Sequence, residues 1–219
     1  VLDVTSINRS AFERIGGLRD GEIGFNSWFD DAALLEHVAF SPLPTVDVHV
    51  MYVRGVTLGN PAAAMIAKQI NYDPTRGADG SLAFAVQALA NAYGLTWCRM
   101  LTAGKRTDTA ATNGASVDFL TAGGLAPYGL SAFLHVFSFV GTSVTVAIQE
   151  SSDDGVGDPF AAVVGGAFAA ATARTTERIQ TSQTINVERY LRAVTTGTFT
   201  SAVFAVCVSR PDQGVGFSW

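Results

Sequence analysis

Residues 102–107, with the sequence TAGKRT, are similar to the end of a phosphate-binding loop, in which backbone amides and a lysine hold phosphate oxygens. The motif fails at two positions. The glycine that should precede Gly104 by five residues is Arg99, and Lys105 is followed by Arg106 where the motif requires Ser or Thr. We therefore expect a solvated loop in this segment and no nucleotide site.

An acidic turn is predicted at residues 153–158, where Asp153, Asp154 and Asp158 bring three carboxylates into a short glycine-containing sequence. Hard cations such as Ca²⁺ prefer several oxygen ligands at close spacing. However, the spacing of an EF-hand loop is absent, and Asp-Gly is common in ordinary turns. An ordinary turn is therefore favoured over a calcium site.

The histidines and cysteines lack the spacing of catalytic or metal-binding groups. His37, His49 and His135 are far apart and lie on unrelated predicted elements, so we expect structural histidines. Cys98 and Cys207 both lie in apolar, strand-like runs, which favours free, buried thiols and leaves a disulfide as the alternative. The sequence therefore predicts no catalytic, cofactor-binding or metal-binding residue, and we expect that the protein is not an enzyme.

Arginine is the dominant cation, because only Lys68 and Lys105 among the 14 basic residues are lysines. Arginine is favoured where planar contacts with several donors form at interfaces. A loose basic group lies near the C-terminal end of the chain and consists of Arg174, Arg178, Arg189 and Arg192. A solvated face is the simpler interpretation of this group, and salt bridges between subunits are the alternative.

The composition describes a chain that is poor in charge. Of its 219 residues 48% are hydrophobic and 15% charged, against an average of about 25% charged in globular proteins. Such a chain must bury much of its surface, within itself or against other subunits. The net charge of −5 gives no overall basic field that would hold nucleic acid. No apolar stretch reaches the ~18 residues of a membrane span, so we expect a protein without membrane contact.

The elements that position these residues centre on residues 131–149. The second half of this segment alternates apolar and polar residues, and both faces of the first half are largely apolar, which predicts a long central strand. Residues 141–143 supply a bend between the halves. The same alternation returns at residues 190–194 and 199–208, so the three segments are expected to pair and bury a common core.

The first half of the chain predicts further strands and one helix. Asp30 and Asp31 suit the cap of this short helix better than acid–base catalysis. The predicted elements are a strand within 18–29, a helix over 32–38, a strand over 45–54, and a hairpin of 62–72 and 82–89 whose second arm continues through 95–101. We therefore predict a mainly β fold, an antiparallel β-sandwich or barrel with one short flanking helix.

The remaining segments are predicted to be loops and arms within a single domain of residues 1–219. The domain consists of an arm at 1–17 with a helical turn at 11–15, a core at 18–101, a loop at 102–129, a core at 130–209 and a tail at 210–219. The segments 102–129 and 151–184 are expected to be ordered mainly by neighbouring subunits. The alternative is a boundary near 102–129 followed by a separate C-terminal β-sandwich.

Several stretches of the chain, in this order, resemble the major tail tube proteins of long-tailed, non-contractile (siphovirus-type) bacteriophages. These stretches are LRDGEIGFNSWFD with AALLEHVAF, then TVDVHVMYVRG, NYDPTRGADGSLAFAV, FSFVGTSVTVAIQESSDDG and RYLRAVTTGTFTSAVFAV. The resemblance covers most of the chain from Leu18 to Val208. It rests on the order of elements and turns and includes no chemical signature.

The resemblance implies a structural virion protein, made in the host cytoplasm, whose hexameric rings stack into the tail tube. Its implied partners are other copies of the chain and the tail terminator, tape measure and tail tip proteins, and genomic DNA would pass through the lumen without specific binding. The hairpin 62–89 with residues 46–54 would contribute to the inner wall. The arm 1–17, the loop 102–129 and the tail 210–219 would join successive rings.

Two other function classes remain open. Another phage β-sandwich, with a role in capsid decoration or in the baseplate, would have a similar composition. A carbohydrate-binding module would need an exposed aromatic platform, for which Trp28, Trp97 and Trp219 are the candidates. Because Trp28 and Trp97 lie within strand patterns, we expect both of them in the core.

Overall fold

The structure is a computed structural model that describes residues 2–3, 14–15, 20–30, 36–43, 46–120 and 126–211. Its helix, α1, is Glu36–Phe40. Its strands are β1 Leu2–Asp3, β2 Arg14–Ile15, β3 Glu22–Trp28, β4 Val48–Val53, β5 Pro61–Arg76, β6 Leu82–Ala90, β7 Thr96–Met100, β8 Arg106–Asp108, β9 Val117–Asp118, β10 Ser131–Ser151, β11 Ala161–Ala167, β12 Thr175–Gln180 and β13 Tyr190–Ser209. None of the helical segments described here is long and apolar enough to cross a membrane.

The predicted fold class is confirmed: the described chain is mainly β, and its strands pair antiparallel. Within the described ranges, no strand pairing closes a barrel. The chain divides into two compact units, one of Val1–Val48 and Met65–Leu95 and the other of His49–Ala64 and Thr96–Trp219. The long strand β5 contributes its start to the second unit and its remainder to the first.

The first unit contains the predicted hairpin of β5 and β6, with β3 paired along the other side of β6. Tyr72 and Phe84 stack with ring centroids 4.0 Å apart, and Phe25 contacts Phe40 of α1 edge to face. The side chain of Gln69 donates a hydrogen bond of 2.8 Å to the carbonyl of Phe40. The short helix therefore covers one face of this sheet.

Four details of the predicted elements change. The strand β5 continues to Arg76, beyond the predicted arm. The strand β7 is separate from β6, because residues 91–95 between them do not form a strand. The helix occupies Glu36–Phe40, while residues 31–35 lie outside the described ranges. The helical turn predicted at 11–15 is wrong for its last two residues, which pair as strand β2 with β1.

The second unit is built on β10 and β13, which pair over almost their whole lengths. The two segments predicted at 190–194 and 199–208 are thus one strand. Register shifts interrupt the pairing around Gly141, which confirms the predicted bend. Gly141 and Gly197 have φ angles of 152° and 117°, which side-chain-bearing residues rarely adopt. A Cβ at Gly141 would also collide with the backbone of Phe199.

The bend brings both halves of β10 into one apolar core. Leu134 and Val136 from the first half, and Val146 and Ile148 from the second, belong to the same buried cluster with Phe204 of β13. A smaller cluster on the other side of the first half contains Phe133, Cys98, Met100, Ala62 and Cys207. The predicted shared core is confirmed. Because side chains alternate along β10, one face of its first half packs in the larger cluster and the other face packs in the smaller cluster.

The segments predicted to be ordered mainly by other subunits have strand partners in their own chain. The strands β8 and β9 pair with β13, and β11 and β12 pair with β10. Arg99 and Arg189 reinforce this arrangement, because their guanidinium groups hydrogen-bond the carbonyl and the carboxylate of Asp118, respectively. The described parts of residues 102–129 and 151–184 are therefore ordered largely from within the subunit.

Candidate interaction surfaces

The prediction that Trp97 lies in the core is wrong, because 69% of its surface is exposed. Met51 and Val53 of β4 and Cys98 of β7 pack in the smaller cluster, so alternation turns Tyr52 and Trp97 to the opposite face. Tyr52 is also exposed.

The two aromatic side chains lie on strands on either side of β5. The hydrogen bond from Arg54 N to Pro61 O, at 3.1 Å, sets Tyr52 opposite Ala63, which itself pairs with Trp97. Two strand spacings separate the aromatic residues, about 10 Å. Tyr52, Ala63 and Trp97, hereafter the Tyr52–Trp97 face, therefore present two large aromatic groups on one side of the sheet.

Trp28, also predicted in the core, is likewise 69% exposed. It lies at the end of β3, in register with Ala83 of β6, which in turn pairs with Thr75 of β5. A cleft of about 410 Å³ opens beside it, within the first unit. The cleft is lined by Asn26, Ser27, Trp28, Thr75, Ala83, Phe84 and Ala85. Trp219, the third predicted aromatic candidate, lies outside the described residues.

The cations of the TAGKRT segment are directed to partners in the same chain. The Lys105 ammonium lies 4.6 Å from the centroid of the Phe137 ring. Arg106 is only 15% exposed at its side chain and forms an ion pair with Asp108 at 2.7 Å. The expected solvated loop is therefore wrong for Arg106. Its guanidinium also donates hydrogen bonds to the carbonyl oxygens of Ala193 and Thr112.

The acidic turn is organised by its own backbone. The Asp153 carboxylate accepts hydrogen bonds from the backbone amides of Asp158, Gly157 and Val156, at 2.6 to 3.1 Å for the closest contact of each. These bonds hold the pKa of Asp153 below its usual value. In the described ranges, no group of three His, Cys, Asp or Glu side chains is placed to hold a metal ion.

A cluster of carboxyl groups that the sequence did not predict surrounds this turn. Glu150, at the end of β10, accepts a 2.8 Å hydrogen bond from the backbone amide of Glu188. Burial, followed by a hydrogen bond with Asp158 and the charges of Asp158, Glu150 and Asp153, raises the pKa of Glu188 to about 7. Burial likewise raises the pKa of Glu150. Glu188 therefore retains its proton up to near neutral pH.

The three histidines occupy structural positions. His37 lies among the rings of Phe29, Tyr72 and Phe84 in the first unit, and its Nδ1 is 3.3 Å from the Tyr72 hydroxyl. His135 belongs to the second unit, where burial and then the nearby His49 lower its pKa to about 4. His135 is consequently neutral at physiological pH.

The two cysteines are free and buried in the smaller cluster of the second unit. Cys207 pairs with Met100, two residues from Cys98 on β7, so the two thiols share a face of adjacent strands. A hydrogen bond with the Cys98 thiol, followed by burial, raises the pKa of Cys207. The predicted free, buried state of both cysteines is confirmed. The raised pKa of its thiol makes Cys207 a poor nucleophile.

The basic group near the C-terminal end of the chain is not one common surface. Arg189 forms an ion pair of 2.7 Å with Asp118 of β9. Arg192 donates to a glutamine oxygen on β10 at 2.7 Å, and Arg178 to a glutamine oxygen on β12 at 2.8 Å. Arg174 is exposed. Three of these arginines therefore contact residues of the same chain. Arg189 and Arg192 contact residues on neighbouring strands, and Arg178 contacts a residue on its own strand.

The Tyr52–Trp97 face and the Trp28 cleft are the surfaces best suited to contacts with other molecules. Trp28 and Trp97 were candidates for an exposed aromatic platform, but the core was favoured for both, because alternation identifies the residues that share a face but not which face is covered. Comparison of the chain with protein-family models, with curated proteins and with solved structures found no match.

Proposed function

We propose that this protein is a structural virion subunit that assembles with copies of itself into stacked, hexameric rings forming the tail tube of a long-tailed bacteriophage. The proposal combines the resemblance between residues 18 and 208 and tail tube proteins with the exposed Tyr52–Trp97 face. That face carries the proposal, because Tyr52 and Trp97 stay exposed on it in the part of the chain that the structure describes.

Large aromatic side chains exposed side by side favour association. Tyr and Trp are enriched at protein interfaces, and contiguous apolar patches on subunits mark binding surfaces. Tyr52 and Trp97 are presented by paired strands, so little conformational entropy is lost when a second copy covers them. The chain contributes few charges that would oppose such contact, since only 15% of its residues are charged.

The proposed role is that of a conduit with no catalytic step. In this role the subunits contact the tail terminator, tape measure and tail tip proteins, and genomic DNA passes through the lumen. A net charge of −5 per subunit suits a channel that must not retain DNA, since attraction to phosphates would slow its passage. The protein is made in the host cytoplasm and ends in the virion tail.

Negative-stain electron microscopy of the purified protein at high concentration, with mass photometry of the same sample, tests the proposal. We expect rings or hollow tubes from the wild-type chain. Trp97→Ser should shift the mass distribution to the monomer. Val156→Ser is a matched control, because Val156 is exposed in the same unit, on the acidic turn, away from the Tyr52–Trp97 face. A wild-type protein that stays monomeric at every concentration would refute self-assembly.

A further inference from the structure

The Trp28 cleft lies on the sheet face of the first unit that α1 does not cover. In the registers of β3, β6 and β5, Trp28 aligns with Ala83 and Thr75, and the next row on this face aligns Asn26 with Ala85. The ring cluster of Tyr72 and Phe84 beside the helix points to the other face. Five of the seven lining residues therefore direct their side chains away from the helix, while Ser27 and Phe84 belong to the helix-facing row.

The sizes of these side chains give the cleft its form. Ala83 and Ala85 form a low floor on the central strand, and Ala85 is itself exposed. The indole of Trp28 stands at one edge and the Thr75 side chain at the other. A volume of about 410 Å³ falls within the range of small-molecule sites, roughly 300–1,000 Å³. The space accommodates one ring-sized ligand beside the indole.

The chemistry of the lining is neutral and mixed. None of the lining residues carries a charge, and the exposed polar groups are the amide of Asn26 and the hydroxyl of Thr75. One carboxylate lies just beyond the floor: Asp73 aligns with Ala85 and is held by a 2.9 Å hydrogen bond from the Asn71 amide. The cleft therefore offers one aromatic face, hydrogen-bonding groups of both kinds, and no cation.

We propose that this cleft binds a neutral pyranose unit of a polysaccharide. The C–H groups on one side of a pyranose ring pack on an indole, whose face carries negative partial charge, while the hydroxyls around its edge require donors and acceptors. Trp28 supplies the stacking surface, Asn26 supplies a donor and an acceptor, and Asp73 supplies an acceptor at the rim. The inference does not depend on the proposed tail assembly.

Other ligand classes fit the lining less well. A purely apolar ligand would leave the amide of Asn26 and the hydroxyl of Thr75 without partners. An anion would meet no cationic lining residue and would face the charge of Asp73. A quaternary ammonium group is recognised by several aromatic rings around it, and Trp28 is the exposed ring of this lining. A second copy of the chain covering Trp28 is the competing occupant.

Affinity electrophoresis in gels containing dextran, mannan, laminarin or galactan provides the test, with tryptophan fluorescence titration against the matching methyl glycosides. We expect at least one polysaccharide to retard the wild-type chain. Trp28→Ala should weaken that binding about tenfold or more, and Asn26→Ala should weaken it less. Tyr128→Ala is the matched control, because it removes an exposed aromatic side chain of the other unit that belongs neither to the cleft nor to the Tyr52–Trp97 face, and it should leave the retardation unchanged.

Trp28→Phe keeps an aromatic face and should retain part of the binding, which excludes misfolding as the cause of a loss. Circular dichroism of each variant checks the fold. The proposal is overturned if no polysaccharide retards the wild-type chain, or if Tyr128→Ala loses binding as fully as Trp28→Ala. It is also overturned if Trp28→Ala changes the sedimentation coefficient but leaves polysaccharide binding unchanged, because a second copy of the chain then occupies the cleft. Failure of ring formation alone bears on the proposed assembly and not on the cleft.

Discussion

Arg106 and Asp108 form a two-pronged ion pair on β8, in which Nε donates to Oδ1 and Nη2 donates to Oδ2, each at 2.7 Å. The guanidinium also donates to the carbonyls of Ala193 and Thr112, and the Thr195 hydroxyl donates to Asp108 at 2.7 Å. These bonds connect the segment after β7 to the middle of β13. The ion pair thus fixes a stretch that has little regular secondary structure of its own.

Asp108→Ala should destabilise the protein by about 3–5 kcal/mol, because it leaves the Arg106 guanidinium without its counter-charge in a largely buried site. Asp118→Ala is the matched control. Its ion pair with Arg189 is more exposed, 28% at Asp118 against 4% at Asp108, so solvent screening limits the loss to about 1 kcal/mol. Urea denaturation measures both variants, and equal losses would contradict this account of Arg106.

Cys98 and Cys207 should not react with a thiol reagent such as DTNB in the native protein on the minute timescale, because both are buried and the pKa of Cys207 is raised. In denaturant, without reductant, two thiols should react, and one in Cys98→Ala. A fast native reaction would contradict the buried placement. Absence of reaction in denaturant would show a disulfide.

His135 should contribute a loss of stability as the pH decreases from about 6.5 to about 4. Its pKa is 6.5 in an unfolded chain and about 4 in the fold, so unfolding takes up a proton throughout this interval. The loss amounts to roughly 3 kcal/mol at most. In urea denaturation, His135→Gln should lose less stability than the wild type between pH 7 and pH 4.5, and an identical change in both proteins would contradict this assignment.

Glu188 should act in the opposite direction. Its pKa is about 7 in the fold and 4.5 in an unfolded chain, so unfolding releases a proton as the pH rises through this interval and stability falls. Glu188→Gln should therefore gain stability relative to the wild type between pH 5 and pH 8. Thermal melting measures this gain. Parallel profiles of the wild type and Glu188→Gln would disprove the assignment.

Gly141→Ala should cost about 1–3 kcal/mol or more, because alanine is strained at this φ angle and its Cβ would meet the Phe199 backbone. Gly24→Ala is the control, since a Cβ there has its nearest contacts at 3.8 Å. That variant should stay within about 1 kcal/mol of the wild type. Chemical denaturation of both proteins compares the two glycines, and a neutral Gly141→Ala would mean that the bend does not depend on glycine.

Much of the β architecture could be predicted from the sequence, because long strands carry their own pattern. The second half of β10 and the last part of β13 alternate in hydrophobicity, and the glycine at position 141 marks the bend between the two halves of β10. In contrast, β8 and β9 are only three and two residues long, which is too short for periodicity to indicate a strand. Their conformation depends on pairing with β13, a partner distant in sequence.

The candidate surfaces escaped prediction for a related physical reason. Trp28 and Trp97 alternate with inward residues as core residues do, yet both side chains stay exposed in the part of the chain that the structure describes. The carboxyl cluster joins Glu150 and Glu188, which are 38 residues apart and meet through the pairing of β10 and β13. Local sequence patterns do not contain the contacts on which either feature depends.

The position of β13 in the chain has a consequence for biosynthesis. Tyr190–Ser209 pairs with β7, β8, β9 and β10, so strands made earlier have their hydrogen-bond partner only after Ser209 has left the ribosome. Until then, the apolar faces of β7 and β10 stay uncovered by this strand, and pairing between such distant segments is intrinsically slow. The second unit therefore completes its core only once β13 has been made, and until then β7 and β10 are exposed to pairing with other chains.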